Sequence, residues 1–161
     1  MSGDNDYQLG DQWNHEDFSV YGPDGEPRAH EAWMRPTVHM SAGEPIEMRF
    51  FSPLHVFDPD KGESADQQLG EFHYACEGKE SDLPTEIYVP EFQYPDGFYV
   101  WLSDGWATFD PDLQTLYHYP TNDEPGVTHE VTIRRPAEGR ENKGWAYFFN
   151  FDGQKVVGDR Q

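Results

Sequence analysis

A chain of 161 residues suffices for one ordinary domain with a short extra arm, and no apolar run in it approaches the roughly 20 residues of a membrane-spanning helix. Its formal charge of −20 opposes approach to nucleic-acid phosphates and anionic lipid headgroups; it reads as a solvated acidic coat ahead of a salt-adapted surface or a face for a basic neighbour. Hydrophobic residues make up only 35%, yet 11 Phe, 9 Tyr and 5 Trp each bring enough area to build a compact core.

From Met1 to Ala32 the sequence is polar and broken by Gly10, Gly22, Pro23, Gly25 and Pro27, which makes residues 1–32 an arm or linker. Its start, Met1-Ser2-Gly3-Asp4-Asn5-Asp6, holds no basic or apolar signal region, so a soluble, cytoplasmic protein is expected. Ala29 to Met34 has room for one or two helical turns before Pro36 stops them. After Pro45 the pattern turns to period two: Ile46, Met48 and Phe50 face one way, Glu47 and Arg49 the other, as in a strand with one wet face. An acidic loop, Asp58 to Gln68, leads to a second strand in which Phe72, Tyr74 and Cys76 share a side opposite Glu71 and His73. Cys76 is the single cysteine, so no internal disulfide and no zinc spacing exists, and it reads as a small core residue.

Between Thr85 and Tyr119 aromatic and β-branched runs are separated by Pro95-Asp96-Gly97, Ser103-Asp104-Gly105 and Asp110-Pro111-Asp112. Glycine after Asp reaches positive φ in a tight turn and Pro presets φ at a turn's second position, so these triplets end strands and leave no room for a helix. The stretch reads as an antiparallel meander. Ile87 and Val89 form a short strand ended by Pro90. Phe98, Val100 and Leu102 oppose Tyr99 and Trp101 on the next strand, and bulk on both faces marks it as central. Leu116 and His118 then oppose Thr115, Tyr117 and Tyr119, and Val127, His129, Val131 and Ile133 alternate with Thr128, Glu130 and Thr132. Six or so strands at short spacing predict a mainly β fold, an antiparallel, Greek-key-like β-sandwich over residues 33–136, with an N-terminal loop and short-helix arm. Residues 137–161, with Trp145-Ala146-Tyr147-Phe148-Phe149 and Val156-Val157, make an additional hairpin or tail whose place in the sheet stays open.

Three pieces in order carry a resemblance. They are Asp4-Asn5-Asp6 with the run Gly10 to Val20; Ala32-Trp33-Met34-Arg35-Pro36 with Ala42-Gly43-Glu44-Pro45; and Pro84 to Pro90 with Tyr94-Pro95-Asp96-Gly97, Ser103-Asp104-Gly105 and Gln114-Thr115-Leu116. Over residues 4 to 135 the chain resembles the C-terminal region of glycoside hydrolase family 5 enzymes of the endoglycoceramidase and steryl-β-glucosidase type, where the end of a catalytic barrel runs into a β-sandwich. The resemblance implies a retaining hydrolase of β-glucosides of lipids such as sterols or ceramide as the parent activity. Retaining chemistry needs two carboxylates about 5 to 5.5 Å apart, and in this family they come from barrel strands earlier than anything in this chain. The chain alone is therefore expected to be non-catalytic, its partner a family 5 barrel that it braces. By the same resemblance Asn5, Asp6, Trp13 and Asn14 lie at the rim of the glucoside cleft. The alternative is a freestanding carbohydrate- or glycolipid-binding module.

The residues themselves offer little chemistry. Glu86 and Glu91, five apart across Pro90, face opposite sides of an extended segment and read as solvated or turn carboxylates. Asp58, Asp60 and Asp66 invite a calcium reading, but Glu63 stands where an EF-hand loop needs Gly and Leu69 where it needs the bidentate Glu. His118 and His129 recur on the apolar faces of neighbouring predicted strands, and without a third ligand they read as satisfied imidazoles. No cofactor or metal is expected. Tyr99, Trp101, Trp106 and Tyr117 suggest a sugar-stacking platform or, ahead of that, rings that fill the second face of a central strand or an interface with the barrel.

Overall fold

Sheet pairing organises this backbone: among the described residues ten strands accompany one helical turn. The computed structural model describes residues 21, 24–27, 30–52, 70–78, 83–122, 124, 126–136, 144–152 and 155–157. The chain divides into two compact units, 1–33 and 34–161. In the first, Tyr21 and Pro27 form an isolated antiparallel bridge, the Asp24 carboxylate accepts the Glu26 N–H at 3.1 Å, and α1 spans His30–Trp33, one turn where one or two were expected ahead of Pro36. No helix among the described residues is long and apolar enough to cross a membrane.

The second unit is a two-layer antiparallel sandwich. One sheet has four strands in the order β1 (Thr37–Met40), β4 (Thr85–Tyr88), β7 (Thr115–Tyr119) and β6 (Trp106–Asp110). The other has six, in the order β10 (Lys155–Val157), β9 (Tyr147–Phe149), β5 (Phe98–Leu102), β8 (Thr128–Arg134), β3 (Phe72–Glu77) and β2 (Glu44–Phe50). β5 lies between β9 and β8, the central place that its two bulky faces predict. The C-terminal hairpin, left open by the sequence, joins the sheet through β9, with Phe98 opposite Phe149 and Val100 opposite Tyr147.

The predicted meander needs correction. β4 and β5 lie in different sheets, and the chain crosses back before β6, so within Thr85–Tyr119 only β6 and β7 form a hairpin between sequence neighbours. An Asp-Gly step permits a hairpin or an arch between layers, and alternation says which side chains point inward but not which strand lies alongside. The glycines are required in either case. Gly97 has φ +84° and a Cβ there would stand 2.5 Å from the Phe149 carbonyl oxygen; Gly105 has φ +77° and presses against the Tyr119 carbonyl. The hairpin closes differently: the Asp110 carboxylate accepts the amides of Asp112 and Leu113 at 3.0 and 3.1 Å, and Gln114 takes a positive φ of 50°.

Inward positions of both layers make one core. Phe72, Tyr74, Cys76, Phe98, Val100, Val131, Ile133, Tyr147 and Phe149 come from the six-stranded sheet, and Ile87, Ala107 and Leu116 meet them from the other. Phe98 sits at the junction, edge-on to Phe109 at 4.9 Å and tilted against Tyr94, Phe149 and Phe151. Tyr94 is fully buried, and its hydroxyl donates to the Gly70 carbonyl at 2.7 Å. Cys76 is buried in the core as expected, and burial pushes its thiol up, away from the reactive thiolate.

β2 departs from the one-wet-face reading. It is an edge strand with a bulge between Pro45 and Glu47, and Ile46 and Met48 are 56% and 54% exposed; of its predicted inner face only Phe50 packs on the core. The opposing layer is two strands narrower, which fits a wide-sheet edge left uncovered. Phe98→Ala is expected to cost about 3–5 kcal/mol, whereas Ile46→Thr stays within about 0.5 kcal/mol. Denaturant unfolding of the two variants measures both, and a large loss for Ile46→Thr would contradict the edge assignment.

Candidate functional site

The residues singled out by sequence fall in three places. Asn5, Asp6, Trp13 and Asn14, like Asp58, Asp60 and Asp66, lie outside the described residues. Tyr99 and Trp101 sit on the outer face of β5, whereas Trp106 and Tyr117 sit on the outer face of the other sheet, so the structure does not unite them in one platform. Glu86 stands on the outer face of β4 opposite Tyr117. Glu91 lies in the exposed turn beyond it, with its N–H donated to the Gln114 side-chain carbonyl at 2.9 Å.

The rings on the two sheets behave differently. Tyr99 packs on Phe148 and Trp145 at centroid distances of 4.9 and 6.4 Å, and the Arg134 guanidinium lies 4.1 Å over the Trp145 ring. On the four-stranded sheet Trp106 stacks on its cross-strand partner Tyr119 at 4.0 Å with planes 9° apart, yet remains 44% exposed. Tyr88 and His39 stack at 5.7 Å elsewhere on that sheet. Tyr119, Tyr88 and His39 were missed in the sequence, although period-two alternation along β4 and β7 marks both tyrosines as outward.

The densest polar cluster surrounds the arch Ser103-Asp104-Gly105, where the chain passes from β5 to β6. His129 Nδ1–H donates to Asp104 Oδ1 at 2.7 Å, and the amides of Thr121 and Asn122 donate to Oδ2 at 2.9 and 3.1 Å. The Asp104 backbone carbonyl accepts His118 Nε2–H at 3.0 Å. Ser103 exchanges two bonds with Glu130: its N–H donates to the Glu130 carbonyl at 3.0 Å, and its hydroxyl accepts the Glu130 N–H at 2.9 Å. His118 and His129 thus come from strands in different sheets, not neighbouring ones, and each is buried and engaged by Asp104. Among the described residues no three His, Cys, Asp or Glu side chains are arranged to hold a metal ion. The Ser103 hydroxyl contacts Asp104 rather than an imidazole, so the cluster contains no nucleophile resting on a base. Its chemistry is to hold the arch.

Burial pushes the Asp104 carboxyl up, but the His129 imidazole and the two loop amides outweigh that and hold it below the usual carboxylate range. Burial pushes the His118 imidazole below its ordinary value, against the opposing pull of Asp104. Both shifts mean that the unfolded chain binds more protons, so acid destabilises the fold in two stages. The His118 contribution falls away as pH drops below about 6.5, and that of Asp104 below about 4. Asp104→Ala is expected to cost on the order of 2–4 kcal/mol at neutral pH and to remove the second stage. Unfolding free energies from pH 7 to pH 3 test this, and identical profiles for variant and parent would contradict it.

Comparison with known proteins places this geometry. Residues 35–133 match the glycoside hydrolase family 5 C-terminal domain. The chain is 29% identical over 147 residues to a glucosylceramidase of Rhizopus delemar, across 74% of this chain and 19% of that protein. Sterylglucosidase 1 of Cryptococcus neoformans superposes with a TM-score of 0.58 at 21% identity, covering 88% of this chain and 21% of the enzyme. Endo-glycoceramidase II from a Rhodococcus species superposes with a TM-score of 0.51 at 21% identity, covering 73% and 23%. The chain thus spans about a fifth of each relative's length. The family match begins just ahead of β1 and ends within β8, so it follows eight of the ten strands of the sandwich, and the chain belongs to the glycoside hydrolase family 5 C-terminal domain family.

Proposed function

We propose that this chain is the non-catalytic sandwich of a family 5 glycosidase, bracing a catalytic barrel and helping to shape the rim of its cleft. The observation that carries the proposal is the extent of the family match, which covers the sandwich from β1 into β8 and is to a C-terminal domain, in a chain whose matched part makes up 19% of the glucosylceramidase. The carboxylates within the sandwich support it. Glu86 lies on an outer face, Glu91 in an exposed turn, and Asp104 is occupied in the arch, whereas a retaining site needs two carboxyl groups converging about 5 to 5.5 Å apart.

The relatives' names, a glucosylceramidase and a sterylglucosidase, support a parent activity that cleaves a β-glucosidic bond to a lipid such as ceramide or a sterol. In that setting Asn5, Asp6, Trp13 and Asn14 form part of the cleft rim, and the aromatic outer face around Tyr99 and Trp101 is a surface for the barrel.

A chimaera tests the brace. The Rhizopus glucosylceramidase truncated before its sandwich is expected to lose thermal stability and activity, and fusing this chain in place of the missing part is expected to restore both. The chain alone is expected to leave a chromogenic β-glucoside intact. Hydrolysis by the chain alone that disappears in Glu86→Gln, or a truncated enzyme as stable and active as its parent, would overturn the proposal.

A further inference from the structure

The two outer sheet faces carry different side chains. On the six-stranded sheet they engage one another: Tyr99 with Phe148 and Trp145, Arg134 with Trp145, His73 with Thr132 at 3.1 Å, and Glu47 with Arg49 at 2.6 Å. On the four-stranded sheet Trp106 and His39 are exposed, whereas Glu86, Tyr88, Thr108, Tyr117 and Tyr119 are half-buried. The Trp106–Tyr119 stack stands at one end of a band that continues through Tyr117 to Tyr88 and His39. Register sets Thr108 beside Tyr117 on one flank and Glu86 on the other, and Asp110 follows on β6. The hydroxyls of Tyr88, Thr108, Tyr117 and Tyr119 bond to no other described residue, and β1, β4, β6 and β7 contain no Lys or Arg.

We propose that this band is a binding platform for an uncharged oligosaccharide. A pyranose presents a face of C–H bonds carrying slight positive charge, which fits the negative face of an indole or phenol ring. Trp106, on the edge strand and nearly half exposed, is the anchor ring. The strands stand about 4.8 Å apart, so Thr108, Tyr117 and Glu86 offer hydroxyl donors and acceptors and a carboxylate acceptor in a row across three strands. Sugar hydroxyls, each both donor and acceptor, match such a row. The carboxylates of Glu86 and Asp110, with no cation on these strands, select against acidic sugars. A basic peptide would use those carboxylates, but its Lys and Arg side chains are donors only and give the row of hydroxyls nothing to donate to. Desolvation and the charges of Glu86, Asp110 and Tyr119 push the Tyr117 phenol up and keep it a hydrogen-bond donor at neutral pH.

Titration of the whole chain with cellohexaose, laminarihexaose and mannohexaose, followed by amide NMR shifts and calorimetry, tests the platform without any barrel. Saturable binding of at least one sugar is expected, with shifts centred on β4, β6 and β7. Trp106→Ala should weaken it roughly tenfold and Glu86→Gln severalfold, with circular dichroism showing both variants folded, while Trp101→Phe on the other sheet leaves it unchanged. No shifts with any of the three sugars, shifts centred on β5 and β9, undiminished binding by folded Trp106→Ala, or tighter binding of a polylysine peptide than of every sugar would each overturn the proposal.

Discussion

Asp104 occupies the point where the chain leaves one sheet for the other, and the alignment of the layers depends on how firmly that point is held. Hydrophobic burial presses the sheets together without direction. Asp104 supplies direction, because its two carboxylate oxygens and its carbonyl bind groups from β8, from β7 and from the loop between them. The crossing from β1 to β2 is secured the same way: Tyr74 donates to Ser41 Oγ at 2.5 Å, and the Ala42 N–H reaches Thr85 Oγ1 at 3.1 Å. Crossings made at the ends of a sandwich expose backbone amides to a partly dry environment, and these side chains satisfy them.

How much of this was readable in advance follows from the range of each interaction. Alternation along β3, β5, β7 and β8 is a local property, and inward and outward residues there match the period-two reading. The class of fold followed from that alternation and from the turn triplets. Neighbour relations are not local. Trp106 is four residues from Leu102, yet it belongs to the opposite sheet, because Ser103-Asp104-Gly105 turns between layers instead of within one. The same crossing separates Trp106 from Trp101, and another, between β7 and β8, separates His118 from His129. β2 was misjudged because its alternation is regular while its place at an edge depends on strands far away in sequence. The polar cluster escaped notice since each of its members, taken alone, looks like a turn residue or a core imidazole.

Family membership and physical reading meet at the sandwich and divide on chemistry. A fold of this kind supports many roles, and function has to be argued from its surfaces and sites. Here the interior is committed to packing, the arch to alignment, and the two outer faces differ in what accompanies their rings: an arginine on one, hydroxyls and carboxylates without a Lys or Arg on the other. The net charge of −20 makes the surface unattractive to phosphates, and the strands of the four-stranded sheet carry no Lys or Arg.

The bulge in β2 has a consequence for life at high concentration. A strand edge that no other described strand pairs with, and that carries Ile46 and Met48, invites another molecule to add its own strand and begin a fibre. The register shift after Pro45 interrupts the row of free amides and carbonyls, proline removes a donor, and the charged Glu47–Arg49 pair lies alongside, so the edge stays a dead end for self-assembly.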